Sequence, residues 1–176
     1  MKDVLDIPRT AMEVFEMLPE GTLCEVIDNA LYMSPSPTTD HQRISMKISS
    51  RIELFISEHS LGEVFASPCD VYLDNGDNVV QPDVLFIKAE RSSIIEQKGI
   101  IGSPDFVIEI LSSNMKLDKE TKLELYQRNA IPEYFIIAPD TKEVSHYLLT
   151  DGLYQIQPEA PAGQLNIQQL SLLINF

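Results

Sequence analysis

The chain has 176 residues, 44% of them hydrophobic, with 13 Lys and Arg against 27 Asp and Glu and a formal net charge of −14. That length suits a single domain over residues 1–176 that buries about 70% of its unfolded surface, and no apolar run approaches the ~20 residues that span a bilayer. Phosphate binding draws on Lys and Arg to release counterions, so this charge argues against a generic nucleic-acid binder.

Met1 to Pro8 reads as a loose lead-in. It lacks a basic stretch followed by an apolar core, so no secretory signal is expected and the cytoplasm is the expected compartment. Thr10-Ala11-Met12-Glu13 has the form of a capping box opening a short helix, which Glu20-Gly21 ends. Leu23 to Ile27 is predicted as a strand, turned by Asp28-Asn29 into a hairpin partner over Leu31 to Met33. Glu25 alternates with apolar neighbours there and faces either solvent or the rim of a site. Ser34-Pro35-Ser36-Pro37-Thr38-Thr39 is a rigid, unhelical connector. Asp40 to His59 is predicted as a helix with Ile44, Ile48, Ile52 and Phe55 on its buried face. His41 lies in its first turn, where the helix dipole disfavours the protonated form.

Leu61-Gly62 breaks this helix. Strands follow over Glu63 to Ala66 and Cys69 to Leu73, then a hairpin tip over Asp74 to Asn78. That tip lacks the spacing and the closing Glu of a calcium loop. Lys88 to Lys98 reads as a short helix or loop at a site's edge. Beyond Asn129 and Pro132, which end a further helix, come strands over Tyr134 to Ala138, Val144 to Leu149 and Tyr154 to Gln157. The Gln- and Leu-rich C-terminus closes the fold as a strand or helix. Cys24 and Cys69 form neither a metal spacing nor a disulfide framework and read as buried thiols.

The informative stretch runs from Gln81 to Tyr126. Val84 to Ile87 is a continuous apolar run, suited to a strand covered on both faces, and Asp83 sits at its start behind Pro82. Glu109 interrupts the equally apolar run Phe106 to Leu111. An ionised carboxylate in such surroundings costs several kcal/mol unless it is paired or binds a metal. Either Glu109 points to water or into a salt bridge at a strand end, or Asp83 and Glu109 converge on one divalent cation. Hard carboxylate oxygens select Mg²⁺ or Mn²⁺. Asp118, Lys122 and Tyr126 recur every four residues and share one helix stripe. Asp118 and Lys122 are then an exposed i,i+4 ion pair worth about 0.3–0.5 kcal/mol, or Lys122 points inward with Tyr126 packed beneath it.

Four motifs in order resemble the Uma-two family: Gln81-Pro82-Asp83-Val84, Pro104 to Ser112, the Asp118/Lys122/Tyr126 repeat, and Ile131 to Pro139. The resemblance covers roughly Leu23 to Leu148. That family is related to the PD-(D/E)XK nucleases. The resemblance implies a restriction-endonuclease-like mixed β-sheet flanked by helices, here with an added N-terminal helix and hairpin. It implies a metal site of Asp83, Glu109 and the Ile110 carbonyl, with Asp83, Glu109 and Lys122 catalytic. It makes Glu25, His41, Gln81, Asp118 and Tyr126 candidates to line the site, with His41 near a substrate phosphate unless it is only a surface or capping residue. The general nuclease pattern places its lysine two residues after the Glu, where this chain has Leu111, so the lysine's part falls to Lys122.

The expectation is therefore a Mg²⁺- or Mn²⁺-dependent endonuclease acting on DNA, bound weakly or in a specialised way given the acidic charge. A homodimer would serve the cutting of two strands. Two alternatives stand beside it: an inactive binding or assembly module that keeps the fold, and a metal-dependent hydrolase of small phosphate esters.

Overall fold

Local capping and turn chemistry starts the first elements where the sequence puts them, although the first helix ends at Phe15 and not at Glu20-Gly21. The computed structural model describes residues 7–112 and 116–176, and the lead-in expected over residues 1–8 lies mostly outside them. Helix α1 (Ala11–Phe15) starts where the Thr10 hydroxyl accepts the Glu13 N–H at 3.1 Å. The Glu13 carboxylate reaches back to the Arg9 N–H instead of the Thr10 N–H. Strands β1 (Cys24–Ile27) and β2 (Ala30–Met33) form the expected hairpin. Asp28 and Asn29 both take positive φ (50° and 59°), as a two-residue turn between right-twisted strands requires.

Helix α2 (Thr39–His59) is capped by the Thr38 hydroxyl on the His41 N–H. Its buried stripe is Ile44, Ile48, Ile52 and Ile56, with Phe55 only partly covered. The stripe steps by four throughout, one face of a 3.6-residue helix. The chain then turns sharply at Gly62, where a Cβ would lie 2.0 Å from the Ile87 carbonyl oxygen, so glycine is required.

Next come β3 (Gly62–Ala66), β4 (Val71–Leu73), β5 (Asn78–Val80) and β6 (Val84–Lys88). The Asp74 to Asn78 stretch is the tip of the β4–β5 hairpin, as predicted. Residues 88–98 form a 3₁₀ turn (Ala89–Ile94) leading into β7 (Ile95–Glu96), which pairs with β8 (Gly99–Ile101). Arg91 in that turn pairs at 3.0 Å with Asp105, which leads into strand β9 (Phe106–Ile110). A π-helical turn (Leu117–Thr121) runs directly into α3 (Lys122–Arg128). After it come β10 (Glu133–Ile137), β11 (Val144–Thr150) and β12 (Leu153–Ile156). The C-terminus closes as a ribbon of β13 (Gln164–Ile167) and β14 (Leu172–Asn175).

Among the described residues, the strands other than this ribbon divide into two six-stranded sheets. One has the order β2-β1-β5-β4-β8-β7, the other β12-β11-β10-β9-β6-β3. The second is mixed: β9 and β10 are parallel, and its other pairs are antiparallel. One of its faces presents Val84, Phe86, Phe106, Ile108, Phe135 and Ile137 to α2 and the C-terminal ribbon. The other presents Leu85, Ile87, Val107, Tyr134 and Ile136 to α3 and the first sheet. Double-sided coverage is why β6, β9 and β10 read as unbroken apolar runs. Each fully buried Phe, Ile or Leu contributes roughly 1.5–3 kcal/mol, which offsets the cost of the acids set among them. Among the described residues, no helix is long and apolar enough to cross a membrane.

Candidate active site

Strands β6 and β9 pair antiparallel, with Val84 opposite Ile108 and Phe86 opposite Phe106. Carried one step further, the register sets Asp83 opposite Glu109. Side chains alternate between faces, so Asp83 goes with Leu85, and Glu109 with Val107, toward α3 and the first sheet. The two acids expected from sequence therefore meet at one end of the central strand pair. The Ile110 N–H donates to Asp83 Oδ2 at 2.7 Å, locking the carboxylate across the strand gap.

Lys122 enters from α3, aimed by the π-helical turn before it. That turn routes the Lys122 N–H to the Leu117 carbonyl, five residues back. π turns of this kind recur at functional sites. The ammonium lies 3.0 Å from Glu109 Oε1, 2.9 Å from Glu25 Oε1 and 3.5 Å from Asp118 Oδ1. Lys122 is 4% exposed and Glu109 3%, so Asp118 and Lys122 are not an exposed surface pair. Tyr126, one turn on, donates its hydroxyl to Glu109 Oε1 at 2.6 Å. Tyr134 fixes the turn itself by donating to the Asp118 carbonyl at 2.8 Å.

Three further candidates join this group. Glu25 is buried against Lys122, not turned to solvent, and every residue of β1 is buried. The Gln81 N–H donates to Glu25 Oε1 at 2.7 Å, and the Gln81 amide donates to Asp70 at 2.7 Å. His41 reaches in from the start of α2, its Nε2 3.1 Å from Asp83 Oδ2, while its Nδ1 is buried with no hydrogen-bond partner among the described residues. Sequence reasoning did not single out Asp70. The available signal was an acid leading into an apolar strand in Cys69-Asp70-Val71, the pattern also seen in Pro82-Asp83-Val84.

Four carboxylates, Glu25, Asp83, Glu109 and Asp118, thus surround one lysine and one histidine. Burial pushes Glu109 well above the usual carboxylate range. Lys122 opposes that shift, while the charges of Asp118, Asp83 and Glu25 add to it. Asp118 is raised by burial and by Glu25 and Asp83, against the pull of Lys122. Burial alone would strip the proton from Lys122, but Glu109, Glu25 and Asp118 outweigh it and hold the ammonium charged. At His41, burial is likewise outweighed by the Asp83 hydrogen bond and charge, helped by the Ile110 backbone and Asp118, and the pKa rises above 6.5. Tyr126 stays a neutral donor, because burial and the Glu109 charge both resist its ionisation.

Among the described residues, no group of three or more His, Cys, Asp or Glu is placed to hold a metal. A closed Zn²⁺ or Ca²⁺ cage is therefore not built here. Mg²⁺ asks for less: one or two carboxylates, with waters and substrate phosphate completing the shell. Asp83 and Glu109, beside the Ile110 carbonyl, offer that donor set. The crowding of carboxylates around a single lysine is compatible with the charge of a divalent cation.

A family model described as "Putative restriction endonuclease" matches residues 11–176. The chain belongs to the Uma2 family. A crystal structure titled as a "putative nuclease belonging to DUF820" from Anabaena variabilis superposes with a TM-score of 0.76 at 20% identity. The match covers 96% of this chain and 95% of that one, and it shows that the two share a fold. No curated protein matches the sequence significantly. In this Uma2 chain Leu111 is buried in the core beside α3 and the first sheet. The ammonium near Glu109 comes from Lys122.

Proposed function

We propose that the chain is a divalent-metal-dependent endonuclease that hydrolyses phosphodiester bonds in DNA. The observation that carries this reading is a buried ammonium, Lys122, held 3.0 Å from Glu109, whose strand position faces Asp83. Asp83, Glu109 and the Ile110 carbonyl would hold Mg²⁺ or Mn²⁺. When bound, such an ion polarises a phosphodiester and lowers the pKa of a coordinated water.

The chain's own groups supply the rest. Lys122, kept cationic by its carboxylate neighbours, orients the attacking water and stabilises charge developing at phosphorus. Tyr126 holds the Glu109 carboxylate in place, and His41 and the Ile110 N–H do the same for Asp83. The side chain of Asp83 is 14% exposed and that of Glu109 4%, so substrate approaches from the Asp83 side. Two such sites in a homodimer would cut both strands of a duplex, and the cytoplasm is where this reading places the work.

Purified protein is incubated with plasmid and with single-stranded DNA in the presence of Mg²⁺ or Mn²⁺. Cleavage is expected, and both Asp83→Ala and Glu109→Ala are expected to abolish it. Metal-dependent cleavage that survives in either variant removes that residue from the mechanism. Calorimetry with Mn²⁺ separates the alternatives: a folded protein that binds no divalent ion is an inactive binding module. Hydrolysis of small phosphate esters without cleavage of DNA marks a small-ester hydrolase.

A further inference from the structure

A cavity of about 640 Å³ is lined by Phe65, Cys69, Asp70, Tyr72, Gln81 and Ile100, among others. Two connections tie it to the site. The Ser67 N–H donates to the Asp83 carbonyl at 3.1 Å, and the chain runs from there through Pro68 and Cys69 to Asp70 in the cavity wall. Gln81 also lines the cavity, and its own N–H holds Glu25 at 2.7 Å, one contact from Lys122. Gln81 is two residues from Asp83, so their Cα atoms lie within about 7 Å of each other.

Its chemistry is specific. The Gln81 amide spends its N–H groups on Asp70 and on the Thr22 carbonyl, at 2.7 and 3.1 Å. What these two side chains still offer a ligand is acceptor oxygen. Asp70 is half-buried, and Glu20 and Glu96 add further negative charge to the wall. Lys98, the cation of the wall, lies over the Tyr72 ring at 4.8 Å. Such a lining repels phosphate and welcomes a flat group that brings hydrogen-bond donors. Phe65 and Ile100 supply apolar surface for it. Adenine, cytosine and guanine carry an exocyclic amine, whereas thymine carries none. Carboxylate and amide oxygens are the side-chain acceptors that read such amines.

We propose that this cavity is a base-binding subsite, taking one unstacked, amine-bearing nucleobase of the substrate strand next to the bond to be cut. The proposal rests on the nuclease reading and names its substrate more closely: single-stranded or locally opened DNA, cut beside A, C or G in preference to T. It also gives the protein a source of affinity other than phosphate contacts. With 13 basic residues against 27 acidic ones, counterion release is a weak source here, whereas base stacking does not depend on net charge.

The test uses short single-stranded oligonucleotides that differ at one position next to a fixed cleavage point: A, C, G, T or an abasic residue. Binding is read by fluorescence anisotropy in Glu109→Gln, and cleavage in the wild type. Expected is binding about tenfold to a hundredfold tighter for an amine-bearing base than for T or the abasic residue. Asp70→Asn is expected to shrink that ratio severalfold while Mn²⁺ affinity stays unchanged. Phe65→Ala is expected to weaken binding of all four bases alike. Cleavage with no base preference, or a preference untouched by both substitutions, overturns the subsite and leaves the nuclease reading standing. A base preference in binding without any cleavage supports the subsite and sinks the nuclease. Equal binding of free nucleosides and oligonucleotides would overturn the strand-linked assignment.

Discussion

Glu109 and Glu133 stand on neighbouring parallel strands, each buried in an apolar run. Glu133, opposite Phe106 at the start of β10, is fully buried. It accepts His146 Nε2 at 2.8 Å and the N–H groups of Gln168 and Gln169 at 2.8 and 2.9 Å. Those two N–H groups belong to the 3₁₀ turn between β13 and β14, so Glu133 fastens the C-terminal ribbon to the sheet. One acid meets three donors, and nothing is left over. Glu109 instead shares a single lysine with Glu25 and Asp118 and faces Asp83. Burial alone does not separate the two glutamates. The excess of like charge around Glu109 does.

The largest effect falls on the cation that holds the crowded end. Lys122→Met should cost about 3–5 kcal/mol, because it leaves buried carboxylates without their partner. Urea unfolding of the metal-free protein reads this, and a loss under 1 kcal/mol would mean the acids are solvated or protonated whether or not Lys122 is present. Next comes the contrast between the two glutamates. Glu133→Gln should destabilise by about 1–3 kcal/mol, since it weakens acceptors for three buried donors, and should leave cleavage by the folded fraction unchanged. Glu109→Gln should leave the metal-free protein as stable as the wild type or more so, because it removes one of four crowded charges, and should abolish cleavage. The reverse pattern would exchange the structural and the functional glutamate.

The third test uses pH. The folded state raises the pKa of Glu109 and Asp118 above their ordinary values, so between the unfolded and folded values it binds more protons than the unfolded chain. Stability of the metal-free protein should therefore fall as pH rises from about 4 through the folded pKa, by at most about 1.4 kcal/mol per pH unit for each group. The slope should be shallower in Glu109→Gln. The raised pKa of Lys122 acts only above 10.5 and does not enter this window. The smallest effect is at the satisfied end: His146→Leu removes one of three donors to Glu133 and should cost about 1 kcal/mol, without altering metal binding by calorimetry.

Much of the fold was legible along the chain because its signals are local. Thr10, Asp28-Asn29 and the Asp74 to Asn78 tip act within a few residues of themselves, and each element begins or turns where they say. Asp83 and Glu109 were legible because an acid next to large apolar residues must find a partner. Glu25 was not: four strand residues give no period strong enough to say that both faces of β1 are covered. Nor could the pattern separate Glu109 from Glu133, since both interrupt apolar runs on buried strands. The division into two sheets was equally hidden, because pairing partners such as β4 and β8 lie far apart in sequence.

Sequence by itself determined which apolar side chains leave water, since hydrophobic period and capping are properties of short stretches. Only the tertiary structure decided which charges share the space they leave. Electrostatic coupling depends on distance in space, and Glu25, Asp83, Glu109 and Lys122 come within reach of one another only when two sheets and a helix close around them.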